Sequence, residues 1–529
     1  MPMPASRLVH LAVAVVVVLS CGLLCADASV HDYAGERFAA VGNGFVLHGG
    51  SEGVYASAAA GAFIRFEKVV FERTPEAAAA AEADGNRTAT VTAVIFEAGD
   101  RDAVGGADGA GGQRVLCCTP AMAKLGDCTE GVLVHRAPND TAGGWPRVLA
   151  ASFPPGGGLE AAFPDVTVAV SRTGMYTLLF VHCDASLAVA GGQVVAAGGK
   201  TIWKNSRGYL PGRMAPLLPF YGVMSLAFAA LAAYWFAQCA RFWRDVVPLQ
   251  SCATLVIALG MVECATWYFD LAEFNESGVR PRGATFWAAT SGALRGAVSR
   301  VLVLLVAMGH GVVRPTLAGL SARVAALGAA FFAASEALEV GENVGTVSDD
   351  APARRMFLLL PVATLNTVFI YWIFGSLSKT LNKLKARRMT AKLEMYRKFT
   401  NALIIAVAVS LGWITFEIHF KSTDEYNERW RAAWVIPAAW QLISFSLLCA
   451  ICLMWAPSHS STRYAYSDEE EEGEDVDRDM EDTRPLIFRP GPLSYVDSWA
   501  ISVSQDATKV ILRTDSGVYA KAGDGDKRV

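Results

Sequence analysis

Seven ionisable side chains sit in stretches otherwise apolar enough to cross a bilayer: Glu263, Arg295, Arg300, Glu336, Glu339, Glu417 and His419. A charge inside a membrane is costly unless it pairs or meets water or a ligand, so each is a functional candidate by position alone. Seven charges on four segments exceed what one register-fixing ion pair requires. They are read as facing inward, all but Arg300 in the lumenal half of a bundle, around a polar cavity that holds water and a ligand. The competing reading is a set of structural ion pairs, Glu263 with Arg300 for example, and a proton relay through Glu417 and His419 is a third.

Other chemistries lack their sequence signatures. The apolar stretches contain two histidines, His310 at the cytosolic end of the third and His419 at the lumenal end of the sixth, and a shared metal ion needs ligands close together. The last apolar stretch has no lysine for a retinal Schiff base. The third ends in "MGHGVVRP" and the seventh contains "VIPAAWQLISF", without the usual receptor switch motifs. Neither a phosphate-binding loop, nor a nucleic-acid motif, nor a channel filter sequence is present. The expectation is a non-enzyme with no cofactor other than a bound phospholipid.

The elements that must position these groups follow from composition. Of 529 residues, 53% are hydrophobic and only 18% charged, against about 25% in soluble domains. Apolar runs near 217–238, 249–271, 285–311, 319–341, 355–378, 399–420 and 431–455 are each long enough for a helical crossing. The connection at 379–398, "KTLNKLKARRMTAKLEMYRK", holds eight Lys or Arg and one Glu, and the alternate connections are mixed or acidic. The positive-inside rule puts that connection in the cytosol and the N-terminus in the lumen. It is read as a topology determinant, or as a basic amphipathic helix lying on the cytosolic leaflet.

Residues 1–28 read as a signal peptide, with Arg7, an apolar run and a small-residue cleavage site at Ala26-Asp27-Ala28. Residues 29–200 alternate in short β-type runs such as "AFIRFEKVVFER" and "TATVTAVIFEAG", with "VTVAVSRTGMYTLLFVHC" the longest, which argues for an all-β sandwich. The Gly/Ala-rich stretches near 76–84 and 104–112 read as loop tips. Cys117, Cys118, Cys128 and Cys183 allow three disulfide pairings, with Cys128 close in sequence to both Cys117 and Cys118. Asn86, Asn139 and Asn275 open glycosylation sequons.

A linker at 201–216 leads to the bundle at 217–455. Pro211, Pro216 and Pro219 suggest a stiff, extended entry, and Trp203, Tyr209 and Tyr221 an interfacial aromatic belt. From 456 to 529 a tail carries "SDEEEEGEDVDRDMED", expected to be disordered, then Asp482 and the pair Leu486-Ile487 at acidic-dileucine spacing. The fold class is therefore an α+β membrane protein: a lumenal β-sandwich, a seven-helix bundle and a cytosolic tail.

"TIWKNSRGYLPGRMAPLLPFYGVMSLAF", "LVIALGMVE", "MGHGVVRPTL" and "CLMWAPSHSSTRYAYS" resemble the lung seven-transmembrane receptor family, also called the GOLD-domain seven-transmembrane (GOST) proteins. The resemblance is to the transmembrane protein 87 branch, with a cysteine pattern like its plant members, and covers about residues 171–467. "VSRTGMYTLLFVHCD" resembles the end of a GOLD domain. The resemblance implies a Golgi and endosomal location and a role in endosome-to-Golgi retrieval and secretory cargo sorting. It also implies a lumen-facing cavity for a lipid or membrane cargo, with sorting adaptors reading the tail. Glu263 and Arg300 fall in matching motifs, whereas Cys264 departs from the basic residue common there in animal relatives. An orphan receptor or an ion channel is the alternative.

Overall fold

The computed structural model describes residues 29–57, 61–83, 89–107, 114–126, 128–136, 144–154, 158–183, 193–243, 248–310, 320–343, 352–424 and 428–456. The signal-peptide expectation, Asn86, Asn139 and the tail signals Asp482, Leu486 and Ile487 lie outside the described residues.

The N-terminal domain is two antiparallel sheets packed face to face. Its strands are β1 (Val30–Asp32), β2 (Glu36–Arg37), β3 (Ala39–Val41), β4 (Gly44–Val54), β5 (Ala62–Arg73), β6 (Thr90–Glu97), β7 (Gly106–Ala107), β8 (Arg114–Val115), β9 (Arg147–Ser152), β10 (Glu160–Ala162), β11 (Thr167–Val170), β12 (Gly174–His182) and β13 (Val194–Lys204). One sheet runs β1-β13-β5-β10, with β11 also on β5 and β2 on β13; the other runs β3-β4-β12-β6-β9. Period-2 alternation turns Ile64 and Phe66 of β5 inward, and an irregularity at Lys68 (φ 50°) resets it so that Phe71 also faces Tyr176, Leu178 and Phe180 of β12, all buried. Phe71 meets Phe180 edge-on at 5.1 Å and Tyr33 meets it at 5.3 Å.

Three sequence expectations are refined here. The longest β-type run is two strands, because the polar Ser171-Arg172-Thr173 turn breaks it and sends β11 and β12 to different sheets. The Ala-rich stretch after Pro75 is not a loop tip but helix α1 (Pro75–Ala83), consistent with the helix propensity of Ala and the tolerance of Pro in a first turn. Trp203 is not interfacial: alternation along β13 buries it completely in the sandwich. The disulfides are Cys117–Cys183 and Cys118–Cys128. The second closes a small excursion around α2 (Pro120–Leu125), which Thr119 caps through its side chain.

Among the described residues, seven helices long and apolar enough to cross a membrane follow: α3 (Leu217–Arg241), α4 (Pro248–Ser277), α5 (Arg282–Ala307), α6 (Leu320–Asn343), α7 (Pro352–Ala386), α8 (Thr390–Thr423) and α9 (Val435–Met454). Small residues on α5, among them Ala288, Gly292 and Gly296, let its neighbours approach closely. The basic connection is not a loop, nor one helix lying flat. It is the end of α7 and the start of α8, turned at Arg387–Met389 with Arg388 in the left-handed region (φ 55°). Leu384, Tyr396 and Phe399 are fully buried between its arms and the bundle.

The sandwich continues through Lys204, beyond the boundary expected at 200. Pro211 and Pro216 lie in consecutive turns rather than an extended entry, and Pro219 sits inside the first turn of α3, where no backbone donor is needed.

Candidate functional site

α4 and α5 are adjacent antiparallel helices, and Glu263 and Arg295 each lie near the middle of their helix. The sequence expectation set both in the lumenal half. α4 runs on to Ser277, past the 271 end read from hydropathy, which moves Glu263 to its centre. Arg295 Nε donates to Glu263 Oε2, and Nη2 reaches Glu263 Oε1 at 3.3 Å and Gln441 Oε1 of α9 at 2.7 Å. The pair is 11% and 8% exposed. Gln441 also donates from Nε2 to the Cys264 thiol at 3.2 Å. Gly292 makes room for the carboxylate, since a Cβ there would stand 3.2 Å from Glu263 Oε1. The ion pair suggested with Arg300 is thus formed with Arg295, one helical turn nearer the start of α5.

Arg300 has a different environment. Its Nε donates to Asn366 Oδ1 of α7 at 2.9 Å and its Nη1 to the Gly296 carbonyl at 3.0 Å. The guanidinium lies 4.2 Å over the Phe331 ring of α6. Among the described residues it forms no ion pair with any carboxylate. On α6, Glu336 is buried, accepts from Thr290 Oγ1 at 2.6 Å through Oε1, and leaves Oε2 without a partner. Glu339 accepts from Asn343 Nδ2 at 3.4 Å.

Glu417 and His419 do not join this layer. Glu417 is held by Lys421 at 2.5 Å and by Trp440 Nε1 at 3.1 Å, while His419 is exposed on the outer face of α8. Helical periodicity separates them: residues two apart point to different sides. A relay through the two has no geometric basis. Among the described residues no three His, Cys, Asp or Glu side chains converge as metal ligands.

Sequence reasoning missed the partners. Gln441 and Asn366 are single amides in apolar runs, the one signal available. A second buried cluster, Asp270, Arg280 and Thr285, closes the turn from α4 to α5. Thr285 Oγ1 donates to Asp270 at 2.5 Å, and Arg280 reaches Asp270 at 3.3 Å and the Asn343 carbonyl at 3.3 Å. Arg280 and Asp270 are 5% and 0% exposed. Arg280 fell in the connection between two apolar runs, and Asp270 and Thr285 at the very ends of those runs, so nothing local marked the three as a cluster.

The sandwich is clasped to this end of the bundle. The Asn275 carbonyl accepts from Tyr209 N at 2.9 Å, its Oδ1 accepts from Leu210 N at 3.2 Å, and its Nδ2 donates to the Arg207 carbonyl at 3.2 Å. Both amide atoms of this sequon are therefore engaged by the linker, which conflicts with its expected role as a glycan acceptor in the folded chain. Trp430, just before α9, packs edge-on against Tyr55 at 4.8 Å and against Gly53 and Gly212, where any Cβ would strike the indole. Arg431 donates to the Thr173 carbonyl at 3.2 Å. Nearby Glu97 bonds Arg172 at 3.1 Å. Burial pushes its carboxyl above the usual range against the pull of Arg172, with Asp100 adding to the rise and Arg431 opposing it.

A polar cleft of about 610 Å³ on the outer face of the sandwich is lined by Arg65, Glu67, Lys68, Asp165 and Lys200, among others. Glu67 there takes both Lys200, at 3.2 Å, and Arg65, at 3.7 Å. Among the described residues, Arg300 in the bundle is a cation between helices with no ion pair.

Fold and site together define a multi-pass membrane protein with seven spans, a β-sandwich before them and an acid–base layer between the helices. Residues 216–462 match the family described as GOST, seven transmembrane domain. The chain is 34% identical to Transmembrane protein 87A of Homo sapiens over 262 residues, 49% of this chain and 46% of that one. It is 30% identical to Transmembrane protein 87B of Mus musculus over 264 residues, 49% and 46% of the two chains. Membrane protein PTM1 of Saccharomyces cerevisiae (strain YJM789) is 27% identical over 324 residues, 58% and 59% of the two chains. The chain spans about half the length of the first curated relatives it matches.

Proposed function

We propose that this protein acts in Golgi and endosomal membrane trafficking, with retrieval to the Golgi and secretory cargo sorting as its roles. Its sandwich faces the lumen, and its bundle holds the anionic headgroup of a phospholipid or lipid-bearing cargo. The protein is a carrier or sorting component rather than an enzyme, and its tail engages sorting adaptors. The eight cations over 379–398 against the single Glu394 support this orientation.

The observation that carries the ligand reading is Arg300. A guanidinium held between helices by a side-chain amide, a carbonyl and an aromatic face, with no carboxylate ion pair, retains an unneutralised charge. In a low-dielectric interior that charge favours an anion strongly. A phosphodiester supplies the anion, and its acyl chains suit the apolar surroundings.

The test is lipid analysis of the full chain purified in mild detergent. Wild type should carry an anionic phospholipid at near one per chain. Arg300→Met should lose most of it while keeping its melting temperature. The same lipid complement in both would overturn the cavity reading.

A further inference from the structure

Four exposed cations of the α7–α8 hairpin form no ion pair among the described residues. Lys379, Lys385, Arg388 and Arg397 are all exposed, and among the described residues none of these four forms an ion pair, whereas Lys398 pairs with Glu394 at 2.9 Å. Their support is rigid. Thr380 Oγ1 donates to the Ala307 carbonyl at 2.8 Å and Tyr396 OH to the Val306 carbonyl at 3.1 Å, so each arm caps the end of α5. Trp455, beyond α9, packs against Phe399 at 4.9 Å and Tyr396 at 6.2 Å. This is a fixed prong on the bundle, not a flexible basic loop.

Its height follows from helix geometry. α7 has 35 residues and α8 has 34, or roughly 50 Å each at about 1.5 Å per residue. The hydrocarbon core needs only about 30 Å. Lys379 and Lys398 mark where the apolar runs of the two arms stop. From Lys379 to the turn the prong rises roughly 11 Å, the depth of a headgroup layer and a little beyond. The cations therefore stand among lipid phosphates at fixed spacing on two helices.

We propose that this prong is a binding surface for a polyanionic membrane lipid, a phosphoinositide-type headgroup carrying more than one negative charge. A headgroup beside the prong touches both arms at once, which a singly charged lipid exploits less. This site is separate from the Arg300 layer in the bundle, and its cellular leaflet rests on the orientation proposed above. Each exposed cation near an anionic surface is worth about five-fold in binding.

The experiment uses the full chain in phosphatidylcholine nanodiscs, which expose both faces, so the result does not depend on orientation in the cell. Dioctanoyl phosphatidylinositol phosphate is titrated in and bound lipid is counted by native mass spectrometry. Wild type should bind it at least ten-fold tighter than dioctanoyl phosphatidylserine. The Lys379→Gln, Lys385→Gln, Arg388→Gln, Arg397→Gln variant should lose at least ten-fold, with an unchanged melting temperature and an unchanged Arg300-dependent lipid. Exchanging Lys and Arg at the four positions should preserve binding. Equal binding by wild type and the Gln variant would overturn the proposal. So would an acidic peptide of matched charge that binds wild type more tightly than the lipid.

Discussion

Arg295 and Glu263 show how a charge survives between membrane helices. Each desolvated group is answered by the other, and Gln441 accepts a further guanidinium N–H. Removing one partner leaves the other buried and unpaired, which costs about 3–5 kcal/mol. Arg295→Met should accordingly lower the thermal midpoint of the detergent-purified protein sharply. Adding Glu263→Gln should restore much of the loss; a double variant no better than the single one would mean that the pair is not the stabilising unit. Glu97 in the sandwich obeys the opposite sign. Its folded pKa is raised, because burial outweighs Arg172, so the fold disfavours its ionised form. The stability it contributes is complete below the unfolded carboxylate value of about 4.3 and is lost as pH rises through the higher folded value. Glu97→Gln should remove this share of the pH dependence. Melting curves of wild type and variant between pH 4 and 7 read it out, and parallel curves would contradict it.

At the scale of elements, the junction holds the sandwich by side chains from distant parts of the chain. Asn275 at the end of α4 clasps the linker, and Trp430 before α9 fills the space that Gly53 and Gly212 leave. Trp430→Ala removes a buried aromatic at a cost of about 3–5 kcal/mol. Because the sandwich core and the bundle core are separate clusters, the loss should appear locally. Hydrogen exchange should accelerate over residues 205–215 and 53–55 while β5 and β12 stay protected. Uniform acceleration would show that the clasp is part of one cooperative unit. The α7–α8 prong follows the same logic, with Thr380 and Tyr396 converting two overlong helices into a fixed projection.

At the scale of the molecule, the proposed orientation and the clasp together predict the glycan count. A lumenal sandwich exposes the sequons at Asn86 and Asn139 to the transferase, whereas both amide atoms of Asn275 are engaged by the linker. Glycosidase treatment of protein made in a secretory host should remove two chains, and Asn275→Gln should leave the mobility shift unchanged. A third chain lost on that substitution would contradict the clasp.

Hydropathy and alternation alone determined the α+β class, the seven spans and the β-rich domain ahead of them, because burial in lipid or in a sheet interior imposes a period that one-dimensional patterns carry. They also picked out Glu263, Arg295, Arg300, Glu336 and Glu339 as charges that need an answer, since lipid tolerates none of them cheaply. Which answer each receives was decided by tertiary structure. Arg295 rather than Arg300 meets Glu263, His419 turns outward, Trp203 turns inward, and Asn275 fastens a domain; the basic connection stands up as two helix ends. Each of these depends on helix length, face and neighbour. A helix that outlasts its apolar run, or a partner such as Gln441 more than a hundred residues away, leaves almost no mark on local sequence.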